Sequence, residues 1–191
     1  MTPTKESRIA PAEAPWPESV QARFQKLTPL RLFRVLARDE RLFARFVDGG
    51  LLDRGHLSLR ERELAILTVC ARCRSEYEWG VHVLFFAGKV GFSETEIAST
   101  LKPFASAGWS GRDALVVRLC DALQDRCDIA EDFWTELRAN FAEMALLELL
   151  LLIGKYRQVC ILTNSLALQP EKDAPRFPLQ IFTPPANTAN S

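Results

Sequence analysis

The sequence predicts an all-α protein, and three observations carry that prediction. Apolar residues recur at three- and four-residue spacings through most of the chain, no segment keeps the strict alternation of a half-buried strand, and the signature of a helix start is repeated three times. Ser58 with Glu61, Ser75 with Glu78, and Ser93 with Glu96 each fit the capping box, in which the serine accepts from an early backbone N–H and the glutamate reaches back to the cap. Helices are expected to begin near residues 59, 76 and 94, and no sheet is expected.

Residues 1–17 hold four of the eleven prolines among alanines and charges, so they read as an extended or disordered arm. Glu18 to Leu27 is a short amphipathic candidate. From Pro29 the run LRLFRVLARDERLFARFV places Leu32, Val35, Leu36, Leu42, Phe43 and Phe46 on one helical stripe, which Gly49-Gly50 ends. Gly91 closes the helix that starts near 76, and residues 103–108 separate the next from SGRDALVVRLCDALQDRC. Another helix begins near Ala130. Residues 142–168 supply the longest apolar run, which Gly154 is expected to bend or divide. Residues 18–169 read as one helical domain, and residues 170–191, with five prolines, as an extended tail lying on this subunit or on a neighbour.

Composition narrows the function. With 191 residues and 48% hydrophobic content the chain can bury one substantial core. Lys+Arg and Asp+Glu are both 24, so no global field draws it to nucleic acid or to an anionic membrane, and neither partner is expected. Five cysteines form an odd set inside apolar helical stretches, which argues for a reducing cytoplasm. The N-terminus lacks the apolar core of a signal sequence, and Glu148 interrupts the only strongly apolar stretch, so no bilayer span is expected.

The chemistry concentrates between Ser58 and His82, where two helices are expected to meet at a corner near Arg74-Ser75. Glu63 precedes positions that are apolar nearly all round, which suits a buried carboxylate; the alternative is an exposed residue paired with Arg60. His82 follows Glu78 by one helical turn, so the two side chains share a face. A carboxylate beside an imidazole raises its pKa and fixes its tautomer, as a proton shuttle requires, whereas the structural alternative is a satisfied core histidine. Cys70 and Cys73 form a C-x-x-C, but in the last turn of a helix, where the dipole disfavours thiolates. No second ligand pair stands at zinc-site spacing, so no metal is expected. Tyr77, Trp79, Phe85 and Phe86 supply aromatic bulk for a pocket or a core, and Tyr156 and Asn164 are further candidates.

RERELAILTV, SEYEWGVHVLFFAGKVGFSETEI and LLLIGKYRQVCILTNSLAL together resemble the carboxymuconolactone decarboxylase family, related to the alkylhydroperoxidase D proteins, over about residues 30–168. The E-Y-E-W-x-x-H segment marks a decarboxylase-like subgroup within that resemblance. The resemblance implies an alkylhydroperoxidase D-like helical fold, assembly as a homo-oligomer, and a site near the start of the Tyr77–His82 helix. It implies Glu63 and His82 as the relay pair. The paired cysteines of the hydroperoxidase branch fall here at Ser75 and Glu78, and the decarboxylase branch carries glutamate at the position of Glu78. The expectation is a cofactor-independent acid/base enzyme for a small carboxylate or lactone, with Glu63, Glu78 and His82 catalytic and Tyr77, Trp79, Tyr156 and Asn164 binding substrate. The alternatives are a thiol peroxidase or disulfide reductase using Cys70 and Cys73, and a non-catalytic oligomeric binding protein.

Overall fold

The computed structural model describes residues 7–178, and no strand occurs among them. Eleven α-helical segments follow one another among the described residues: α1 Glu18–Phe24, α2 Arg31–Leu36, α3 Glu40–Asp48, α4 Leu59–Arg72, α5 Glu76–His82, α6 Gly88–Val90, α7 Glu94–Thr100, α8 Phe104–Ala107, α9 Gly111–Arg126, α10 Glu131–Asn140 and α11 Glu143–Ser165. A π-helical turn, Val83–Ala87, joins α5 to α6.

Helix α4 is the axis of the molecule. Every residue from Glu61 to Ala71 is buried, and α4 packs against α5, α9 and α11. Its capping box is complete, with Ser58 accepting from the Glu61 N–H and Glu61 accepting from the Ser58 N–H at 2.9 Å. The box at Ser93 and Glu96 is complete as well. The third is not: the Ser75 hydroxyl, fully buried, pairs instead with Thr163 Oγ1 at 2.8 Å, and Glu78 turns toward His82. A tertiary partner has taken the serine, and a residue one helical turn on has taken the glutamate.

Two further expectations are corrected. The stripe after Pro29 is two helices, because Asp39 caps a new start by accepting from the Leu42 N–H at 2.8 Å. The long apolar run is the single uninterrupted helix α11; Gly154 is exposed, and a Cβ there would meet nothing within 4 Å.

Outside the main core, Val20, Ala37 and Phe43 form a small second cluster that links α1 to α3, with Trp16 edge-on to Phe24 at 4.8 Å. The described part of the arm lies on this cluster and on α11, through the Ala12 N–H to Arg34 O and the Arg8 N–H to Leu166 O. The described part of the tail folds back on α5: the Phe177 N–H donates to Glu76, and Tyr77 donates to Glu171 at 2.6 Å. Gly80 permits that return, since a Cβ there would stand 2.5 Å from the Pro175 carbonyl oxygen.

Helix α9 ends on Cys127 at φ 54°, a left-handed conformation that costs a β-carbon-bearing residue about 1–2 kcal/mol. Cys127→Gly is therefore expected to stabilise the protein by up to about 1 kcal/mol, a rise of roughly 2–4 °C in thermal unfolding.

Candidate active site

The corner between α4 and α5 sets the site. Arg74 takes φ 53°, and the Ser75 N–H returns to Cys70 O at 2.8 Å, so the chain reverses within three residues and lays α5 beside α4. That packing brings Glu63 and His82 together although nineteen positions separate them.

Glu63 is 1% exposed and His82 is 3% exposed. Glu63 Oε2 lies 2.7 Å from His82 Nδ1, and a carboxylate can only accept, so Nδ1 carries the proton. The other carboxylate oxygen accepts from Arg62 Nε at 3.0 Å. On the far side of the ring, His82 Nε2 stands 3.5 Å from Glu78 Oε1, an ion-pair distance. Phe86 stacks on the imidazole at 5.2 Å, and Tyr156 meets it edge-on at 5.0 Å. Burial alone would strip the proton from His82, but hydrogen bonds and charge from Glu63 and Glu78 outweigh it and lift the imidazole to about 9. His82 is thus an imidazolium at neutral pH, held between two carboxylates.

A cavity of about 690 Å³ opens beside this chain of groups, walled by α5, the π turn and α11 on one side and by residues 26–53 on the other. Glu78, His82 and Tyr156 line it, so the buried relay reaches a space where a substrate can sit. Tyr77, Trp79 and Asn164 do not line it. Tyr77 accepts from the Leu32 N–H and donates to Glu171, Trp79 donates to Thr100 Oγ1 at 3.0 Å, and Asn164 donates to Cys73 O at 2.8 Å. Each is committed to holding elements together.

Arg60, the expected surface partner of Glu63, instead reaches Glu96 and Asp113 and ties α4 to α7 and α9. The residue that sequence reasoning missed is Arg62. Besides Glu63, it donates to the carbonyls of Leu52 and Asp53, at 2.8 and 3.3 Å, and so fixes the cavity wall to the relay. Adjacent helical residues do not normally face one another, so spacing offered no signal for the pair.

Cys160 stands beside both cysteines of the C-x-x-C. Cys70 Sγ lies 3.8 Å from Cys160 Sγ, while Cys73 contacts Gln124 at 3.6 Å. Burial pushes the Cys70 thiol up, and contact with Cys160 together with burial pushes up that of Cys73, so both favour the protonated thiol over the reactive thiolate.

Solved structures share this architecture. An uncharacterized peroxidase-related protein from Silicibacter sp. TM1040 superposes with a TM-score of 0.79 at 16% identity, over 91% of this chain and 96% of that one. An alkylhydroperoxidase AhpD core, an uncharacterized peroxidase-related protein from Ralstonia eutropha JMP134, gives 0.78 at 15% identity, over 89% and 95%. A variant of the debrominase Bmp8 in complex with 2,3,4-tribromopyrrole gives 0.70 at 14% identity, over 86% and 92%. No curated protein matches the chain. These likenesses establish the alkylhydroperoxidase D-like fold, and residues 40–120, which include the whole Glu63–His82 relay, match the model of the carboxymuconolactone decarboxylase family. Over residues 40–120 the chain is thus similar to the carboxymuconolactone decarboxylase family, and its overall fold is the alkylhydroperoxidase D-like one.

Proposed function

We propose that this protein is a cofactor-independent acid/base enzyme acting on a small carboxylate or lactone, with His82 as the proton donor. The supporting observation is the buried Glu63–His82–Glu78 chain, charged at the imidazole and opening onto a cavity. Loss of CO2 from an unsaturated lactone acid leaves the bonding electron pair on carbon as a dienolate. An imidazolium beside that carbon supplies the proton that quenches it, and the neutral imidazole then regains one from water through the cavity. Glu63 keeps Nδ1 protonated and the ring oriented. Glu78, at the cavity wall, stabilises the charged ring and relays the returning proton. Tyr156 packs the ring in place.

The thiol peroxidase alternative at Cys70 and Cys73 draws no support from two thiols held in their protonated form. Self-association draws support from a stripe of exposed apolar side chains along α11, Met144, Leu147, Leu151 and Ile161, at the spacing of one helix face. Among the described residues no helix is long and apolar enough to cross a membrane.

The test is turnover of unsaturated lactone acids in D2O, followed by NMR for loss of the carboxyl carbon and deuterium incorporation at the adjacent position. His82→Gln is expected to slow the reaction by about 100-fold or more while helix content is unchanged. Turnover by His82→Gln at the wild-type rate, or rapid loss of a thiol pair on adding one equivalent of peroxide, would overturn the proposal.

A further inference from the structure

The cavity is larger and more divided in character than a small lactone acid needs. Its volume of about 690 Å³ falls among pockets that enclose drug-sized ligands, roughly 300–1,000 Å³. One part of the wall is apolar and aromatic, with Leu32, Phe33, Phe46, Phe85 and Phe86; three ammonium groups, Lys26, Lys89 and Lys155, also line it. Among the described residues none of these lysines has a carboxylate within ion-pair distance. Lys155 is the one held in place. It projects from α11 next to Tyr156, donates to Phe46 O at 3.0 Å, and stands 4.1 Å from the centre of the Phe46 ring.

Lys89 is 5.0 Å from the centre of the Phe86 ring, the ring that stacks on His82. Of the carboxylates along the wall, Asp48 is bound by Arg23 at 2.6 Å and Glu78 faces the imidazolium, which leaves Asp53 against three lysines. The cavity is thus cationic overall, and two of its lysines, Lys89 and Lys155, sit beside aromatic rings. Among the described residues the half-buried Lys155 ammonium uses one of its three donors, and an acceptor carrying negative charge satisfies the others best.

We propose that the cavity binds an anion with a bulky, ring-bearing apolar body, the anionic group bonded to Lys155 and the body lying against Phe33, Phe46, Phe85 and Phe86. The anion held by Lys155 is an anchor, distinct from the carbon that receives the proton; the inference rests on the acid/base reading only for which end of the ligand reacts. Lys155 is then a specificity-determining residue, and it excludes neutral analogues of the same shape.

Calorimetric titration of the full chain with 4-phenylbutyrate, 4-phenylbutyramide and acetate tests this. The acid is expected to bind at least about tenfold more tightly than either the amide, which lacks the charge, or acetate, which lacks the body. Lys155→Met should weaken the acid about tenfold and leave the amide unchanged, Lys155→Arg should restore the acid, and Phe33→Ala should weaken both aryl ligands. Equal binding of acid and amide, unaltered affinity of Lys155→Met for the acid, or no binding of the acid would overturn the inference. His82→Gln separates the two proposals. Lys155-dependent binding by the wild type alongside undiminished turnover in His82→Gln would sink the acid/base reading while leaving the ligand class standing.

Discussion

Glu63→Ala is expected to destabilise the protein by about 3–5 kcal/mol, a large share of what a domain of this size possesses, because it strands two buried cationic partners at once. His82, 3% exposed, loses the acceptor for Nδ1, and Arg62, whose side chain is 11% exposed, loses the acceptor for Nε. Neither can turn to bulk water without dismantling the contact between α4 and α5. Glu63→Gln isolates the electrostatic part: the amide oxygen still accepts from Arg62 and the volume is kept, but its NH2 group faces an Nδ1 that must now accept. That variant should fold, hold a neutral imidazole, and lose proton delivery. Urea denaturation of both variants measures the costs, and a loss below about 1 kcal/mol in Glu63→Ala would show that the relay does not hold the two helices together.

Folding stability is also expected to fall by about 3 kcal/mol as pH rises from 6.5 past 9, and His82→Gln should remove that fall. His82 has a folded value of about 9 against 6.5 for an unperturbed histidine. Below pH 6.5 both the folded and the unfolded chain carry the proton, and the contribution is complete. Between 6.5 and 9 the unfolded chain releases its proton while the folded one retains it, so each pH step favours unfolding; above 9 neither holds it and the contribution is gone. Denaturation midpoints of wild type and His82→Gln, compared from pH 6 to pH 10, cancel the titration of every other group. Parallel curves would mean that the imidazole is not charged in the folded protein.

The site was partly legible because some of its constraints are local. Glu78 and His82 share a helical face at four-residue spacing, and the apolar residues after Glu63 made it a candidate buried carboxylate beside the reading of an exposed one, its relay role being what the family resemblance implied. The cavity could not. Its walls come from residues 26–53, α5, the π turn and α11, and only Tyr156 of the four aromatic and amide candidates reaches it. Tyr77, Trp79 and Asn164 looked equally suitable as residue types, but they bond to Glu171, Thr100 and Cys73. Ser75 and Glu78 show the same limit at short range. Their spacing satisfies a capping box, and partners from α11 and from the next helical turn take them.

By itself the sequence determined the helical class and most of the helix starts, because capping and periodicity depend on neighbours within four residues along the chain. Tertiary structure alone decided that Glu63 meets His82, that Arg62 completes the carboxylate, and that Lys155 faces the same hollow as the imidazole. Those contacts join residues nineteen to more than ninety positions apart, or adjacent residues whose side chains converge only through packing. Opposite charges packed together hold the first two, and the packing of α11 against Phe46 sets the third; no local spacing records either.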